Sequence, residues 1–386
     1  MAGMESFAFH LMPYKDIESE GWPFVEDSWD PETGAGYYQE YLDHLTYADE
    51  LGFDGIGVNE HHYSCYGLQP SPNITAANLA ARTEQATIAF FGNLPAIRHN
   101  PVRLAEEIAM LDNITEGRIM SGFPRGIPPE YLSYNIPLED SRPRFEEAWD
   151  LILKTWTAEE PFDFDGEYYQ YENVYAWPRP YQQPHPDLWM PAESDESLRF
   201  TASRKVPTGT SLTFEDELGD TFRRYRTFAE EDYGWTPGDE HFTVLNWIYL
   251  AKTTEQAYEE AREHLEFFFH RLFTGVHLGV AARMQGDDIY DPDKRETYVE
   301  NIHPHALETI NWDFEEAVDT FDLLIGTPAE VTEQIEEMYD VLGGFGRLVS
   351  HFQFGDLPDE LARKNLELYA DEVKPEVDKI GDVNPS

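Results

Sequence analysis

Asn59-Glu60-His61-His62 sets two histidines directly behind a carboxylate. An imidazole, with an unperturbed pKa of about 6.5, exchanges protons near neutrality, and a neighbouring carboxylate can orient it and move that pKa. The chemistry on offer is general acid–base work or metal ligation. Adjacent residues of an extended segment point to opposite faces, and no His-Glu-x-x-His spacing occurs, so a metal site is disfavoured. A plain packing histidine beside a surface one accounts for the stretch equally well at this point. A second set of residues suits an anion. Arg125, between Pro124 and Gly126, offers a fork of donors matched to phosphate. Glu193-Ser194-Asp195-Glu196-Ser197 opens a helix whose free amides and positive dipole end favour negative charge. Ser194 is also readable as an ordinary cap, and the two roles are compatible.

These residues need elements to hold them. Short apolar runs alternate with amphipathic ones. Strands are expected over 7–12, 55–58, 86–94, 119–123, 188–192, 206–212, 242–250 and 347–354. Helices are expected over 37–51, 74–82, 101–111, 144–156, 194–204, 214–231 and 254–273, then at about 315–324 and 328–342, and over 358–373. Pro101 suits a first helical turn. The aromatic, proline-rich stretch 158–182 reads as a hairpin-like insertion after strand four. Residues 277–316, after strand seven, lack clear periodicity. Eight βα steps without a composition break predict an α/β fold, a single (β/α)8 TIM barrel over 1–386. No Gly-x-Gly-x-x-Gly turn follows a strand, which argues against paired dinucleotide-binding domains. In a barrel the chemistry sits where strands end, and those ends carry His10, Glu60, His61, His62, Asn93, Arg125, Glu193, Ser194, Thr210, Ser211, Trp247, Tyr249, His351 and Gln353.

Composition narrows the partners. The 386 residues hold 75 Asp and Glu against 27 Lys and Arg, a formal charge of −48, while 41% are hydrophobic. Such a chain can build a large core, so the acidity is a coat rather than a mark of disorder. A coat of this kind is tolerable where molar salt shrinks the Debye length to roughly 3 Å, which points to a halophilic cell. Nucleic acid and anionic membrane surfaces are disfavoured as partners. Cys65 is the only cysteine, so no intrachain disulfide or cysteine-based metal cage can form. With no signal peptide or spanning segment in view, the expected compartment is the cytoplasm.

Several stretches together carry a resemblance. Glu60-His61-His62-Tyr63 with Gly67-Leu68, then 100–107 running on to Leu111-Asp112, Glu116-Gly117-Arg118, 122–126, Ser141-Arg142, Ala192-Glu193-Ser194 and Gly326-Thr327-Pro328 occur in order. In this order they resemble the bacterial luciferase-like flavin monooxygenases, over about residues 5–375. The resemblance implies reduced FMN at the mouth of a TIM barrel and activation of O2 on it. It implies that His61 is the catalytic histidine and that Glu60 lies under the flavin. Arg125, Ser194 and Ser197 would take the phosphate, with Arg142 and Glu193 as secondary flavin contacts. Phe90-Phe91 falls where the family has a non-prolyl cis peptide beneath the isoalloxazine ring. Residues 277–316 fall on a mobile lid, and pairing through the second and third helices implies a homodimer. Pro124 stands where luciferases carry a reactive cysteine, which speaks against light emission on long-chain aldehydes.

The resulting expectation is a two-component monooxygenase. It would take reduced FMN from a separate flavin reductase, together with O2, and oxidise a small organic substrate. The missing NAD(P)H fingerprint fits an external reductase. Deazaflavin-dependent hydride transfer on the same barrel is the alternative enzyme. A non-catalytic flavin-binding protein is the alternative from another class.

Overall fold

The computed structural model describes residues 3–17, 21–24, 29–210, 215–287, 289–300, 302, 307, 310–319 and 323–381. In chain order its strands are β1 (Glu5–Phe9), β2 (Gly55–Val58), β3 (Thr87–Phe90), β4 (Ile119–Gly122), β5 (Phe162–Asp165), β6 (Gln170–Val174), β7 (Asp187–Pro191), β8 (Thr208–Thr210), β9 (Phe242–Leu250), β10 (Leu323–Gly326) and β11 (Arg347–His351). β1 pairs in parallel with both β2 and β11, and the order β1-β2-β3-β4-β7-β8-β9-β11 closes on itself. Eight parallel strands therefore form a TIM barrel.

Strands of such a barrel are covered on both faces, and β2 and β4 are buried at every position. Alternation splits their side chains. Phe7, Phe9, Ala89, Phe91, Met120, Trp189 and Val349 pack inside the barrel, while Ala8, Ile56, Val58, Ile88 and Phe90 join the layer beneath the helices. The large inward phenylalanines need small neighbours. A Cβ added at Gly57 would lie 2.8 Å from Phe9 and 2.7 Å from Phe91, so glycine there makes room for both rings.

The helices are α1 (Pro31–Glu50), α2 (Pro72–Ala80), α3 (Pro101–Ile114), α4 (Pro128–Ser133), α5 (Ser141–Thr157), α6 (Asp195–Arg204), α7 (Glu215–Thr227), α8 (Thr254–Glu266) and α9 (Thr274–Met284), with further ones over 295–300, 314–319, 328–342, 359–368 and 374–377. α1 begins six residues before the expected position because Asp30 accepts the Thr33 amide at 2.7 Å and Pro31 suits the first turn. β5 and β6 make the antiparallel hairpin of the 158–182 insertion.

Two expectations need correction. Residues 277–284 are helical, because α8 continues through a wide turn at 267–273 into α9. Gly275 and Gly279 blur the apolar period there, but they serve a crossing: a Cβ on Gly279 would sit 1.9 Å from the Trp22 carbonyl oxygen. Leu323 and Leu324, expected at a helix end, lie in β10, which pairs with Trp247–Leu250 of β9. Four apolar residues fit either element, and only the partner strand decides. Among the described residues no helix is long and apolar enough to cross a membrane.

Candidate active site

The loop leaving β2 sends its two histidines to different partners, as the period of an extended chain requires. His62 is buried and its Nε2 donates to Glu60 Oε1 at 2.9 Å, while the Tyr134 hydroxyl reaches its Nδ1 at 3.3 Å. Glu60 Oε2 accepts the Leu94 amide and Arg98, both at 2.8 Å. Both oxygens of this buried carboxylate are thus engaged, and Glu60 ties the exit of β2 to the segment after β3. His61 turns the other way. Its Nδ1 lies 2.6 Å from the Tyr66 hydroxyl and 3.1 Å from Glu130 Oε1, whereas its Nε2 has no hydrogen-bond partner among the described residues. Tyr66 is buried, and that burial, with the charge of Glu130 second, pushes its hydroxyl well above the ordinary range. It keeps its proton at any working pH.

The anion-type residues gather after β4 and β7. Ser194 caps α6 by accepting the Ser197 amide at 3.3 Å, and its hydroxyl lies 3.0 Å from that of Ser197. Arg142, at the start of α5, donates to Ser197 Oγ at 3.0 Å and pairs with Glu196 at 2.9 Å and Glu146 at 3.5 Å. Glu193 accepts from the Thr210 hydroxyl. The guanidinium of Arg125 is exposed and makes no hydrogen bond or ion pair among the described residues. Arg142, Ser194 and Ser197 form one cluster; Glu193 precedes Ser194 in the chain, and Arg125 makes no hydrogen-bonding contact with the cluster among the described residues. Ser211 lies outside the described residues.

Between these groups the barrel has an aromatic floor. Phe91 makes edge contacts with Phe9 at 5.5 Å and Trp189 at 5.2 Å. His351 stacks on Trp247 with ring centroids 4.7 Å apart. Burial lowers the His351 pKa to about 3, so this ring is neutral. Phe90 faces the helices, so only Phe91 of the pair expected at the cofactor lines the barrel. The cis bonds of the described residues are Trp22–Pro23, Trp177–Pro178 and Gln183–Pro184, and Phe90–Phe91 is not among them.

A sequence profile described as luciferase-like monooxygenase matches residues 23–344. The chain belongs to the luciferase-like monooxygenases. Within this family it is 34% identical to the uncharacterized protein y4wF of Sinorhizobium fredii, over 85% of this chain and 89% of that one. It is 27% identical, over 62% of this chain and 66% of the relative, to the oxygenase component of the flavin-dependent trigonelline monooxygenase of Acinetobacter baylyi. Among solved structures, the monooxygenase RslO1 of Streptomyces bottropensis superposes with a TM-score of 0.74 at 26% identity, over 96% of this chain and 99% of that one. Membership makes this luciferase-like protein a flavin-dependent oxidoreductase of the monooxygenase class.

The residues present fit a flavin phosphate. Two hydroxyls, a helix N-terminus and a guanidinium converge at Ser194, Ser197 and Arg142. Arg142 must then be shared with Glu196, whose side chain is 67% exposed and can swing away. The floor is equally suited to a partner, since Trp189 Nε1, Trp247 Nε1 and His351 Nδ1 are buried without one. Sequence reasoning missed Tyr66, Glu130, Arg98 and Trp22, whose indole donates to the His62 carbonyl at 3.2 Å. Each is remote in sequence or flanked by unremarkable residues. Only the spacing of Glu130 behind Pro128-Pro129, a helix-start pattern, offered any signal.

Proposed function

We propose that this chain is the oxygenase component of a two-component system. It would take reduced FMN from a separate reductase and use O2 to oxidise a small organic substrate. The observation that carries this reading is His61: a half-buried imidazole held from behind by a buried carboxylate and a tyrosine, with Nε2 left over. When bound, reduced FMN supplies the electrons that activate O2. The chain's own part is to hold the phosphate at Arg142, Ser194 and Ser197, to seat the ring on Phe91 and Trp189, and to exchange a proton at His61 Nε2. The absence of a nicotinamide-binding fingerprint favours a reductase on another chain.

By the resemblance, residues 277–316 would cover the mouth; of the described ones, α9 packs on the backbone of Trp22, whose amide donates to the Gly275 carbonyl at 2.8 Å. Excluding water there would protect a reactive flavin. Exposed Ile74 on α2 with Met110 and Ile114 on α3 supports pairing through those helices.

The test mixes anaerobic protein and reduced FMN, in molar salt, with oxygenated buffer and follows flavin absorbance. Reoxidation far slower than that of free flavin is expected. His61→Ala should keep flavin binding and lose productive oxidation by about 10²–10⁴-fold, the usual worth of a positioned acid–base group. Unchanged turnover would remove His61 from the mechanism. Reoxidation at the free-flavin rate would overturn the oxygenase reading and turn attention to deazaflavin-dependent hydride transfer.

A further inference from the structure

We infer that Glu130 is a positioning residue that holds the proton of neutral His61 on Nδ1 and thereby leaves Nε2 as the proton-accepting edge. This deepens the proposed function and rests on the assignment of His61 as the acid–base group.

The argument starts from what surrounds Nδ1. Two oxygens face this one nitrogen, the Tyr66 hydroxyl at 2.6 Å and Glu130 Oε1 at 3.1 Å. If Nδ1 were bare, Tyr66 could donate to it, but the nitrogen lone pair would then face an acceptor-only carboxylate oxygen. That repulsion would act where the carboxylate has little water to screen it, because the Glu130 side chain is only 2% exposed. If Nδ1 carries the proton, both oxygens can accept from it, and the contact with Glu130 becomes charge-assisted. The carboxylate therefore selects between two tautomers that a tyrosine alone would leave open. A hydrogen bond on one ring nitrogen fixes the role of the other.

The fold places Glu130 for this task. Pro128 and Pro129 start α4, and Glu130 Oε2 reaches back to the Ile127 amide at 3.3 Å. One carboxylate oxygen is spent on the helix start, which aims the other at His61. Gly67 leaves room for the ring beside its own loop. A Cβ at that position would come within 2.9 Å of His61 Cδ2. The Nδ1 edge is thus engaged by Tyr66 and Glu130, and the Nε2 edge has no hydrogen-bond partner among the described residues.

The test reads the tautomer directly, without flavin or substrate. Histidine side-chain ¹⁵N–¹³C correlation spectra of the full chain in molar salt, at a pH where His61 is neutral, should show His61 with its proton on Nδ1. His61→Asn provides the assignment. Glu130→Gln should move the proton to Nε2, and Tyr66→Phe should leave it on Nδ1. A wild-type ring protonated on Nε2 overturns the inference, as does an unchanged tautomer in Glu130→Gln. If Glu130→Gln fails to fold, Tyr66→Phe decides, because a shift of the proton to Nε2 in that variant would show that tyrosine rather than the carboxylate sets it. Turnover gives a second readout. Glu130→Gln should lower kcat at least 10-fold with the KM for substrate within about 3-fold, and a change confined to KM counts against it. If His61→Ala keeps full turnover while the tautomer results hold, the acid–base role of His61 fails and the proton placement stands; reoxidation at the free-flavin rate would overturn the oxygenase reading and leave the proton placement untouched.

Discussion

The carboxylates around His61 are buried and committed, whereas those around Arg142 stand in solvent. Glu60 and Glu130 expose 0% and 2% of their side chains, against 67% for Glu196 and 41% for Glu146. The two regions ask different things of charge. A proton-exchanging group needs its tautomer and orientation set in advance, and a low-dielectric surround makes each contact count. An anion cradle needs cations and hydroxyls that an incoming phosphate can reach. Its ion pairs among themselves are worth little in water. One side of the mouth is therefore built into the fold, and the other is mounted on its rim.

Three measurements can break or sharpen that contrast. The largest effect should come from Glu60→Ala, which strips the acceptor from His62, Arg98 and the Leu94 amide at once. Breaking a buried pair of this kind costs about 3–5 kcal/mol, readable by denaturant unfolding in molar salt. A loss below about 1 kcal/mol would mean that Glu60 is no more integral to the fold than Glu196. Next comes Arg142→Ala. FMN affinity, measured by calorimetry, should fall about 10–100-fold, since a hydrogen bond to a charged group is worth about 1.5–3 kcal/mol. Unfolding free energy should move by less than about 1 kcal/mol. A variant that unfolds as readily as Glu60→Ala would erase the distinction.

The smallest effect is a dependence on pH. The folded pKa of His351 is about 3, below the roughly 6.5 of an unfolded histidine. The unfolded chain therefore takes up the proton first. The stability tied to the neutral ring is fully present above about pH 6.5 and is lost as pH falls towards 3, at up to about 1.4 kcal/mol per unit. Between pH 7 and 5.5 the protein should lose about 1 kcal/mol through this ring. His351→Asn should flatten the acid side of the profile by that amount, whatever its effect at pH 7. An unchanged slope would mean that burial does not hold this ring neutral.

Much of the site was legible because it is local. Glu60, His61 and His62 are contiguous, and Ser194 and Ser197 share one helical turn, so each group announces its chemistry in a few letters. Strand order was legible for a similar reason: runs such as Gly55–Val58 are apolar throughout and are punctuated by turns. The partners of His61 were not. Glu130 lies 69 residues away in the chain, and nothing in Pro-Pro-Glu tells where its second oxygen points. Phe90 and Phe91 read as a pair, yet at the end of β3 the pleat sends one to the helices and the other into the barrel. The short run in β10 was ambiguous until β9 lay beside it.

By itself the sequence determined the alternation of strands and helices, the acidic coat and the identity of the groups at the strand ends. These are set by periodicity, charge and side-chain type, all properties of neighbouring residues. The tertiary structure alone decided which nitrogen of His61 meets a carboxylate, that both oxygens of Glu60 are used, and that Arg142 rather than Arg125 touches Ser197. Those are contacts between residues far apart in the chain, and barrel closure brings them within hydrogen-bond reach.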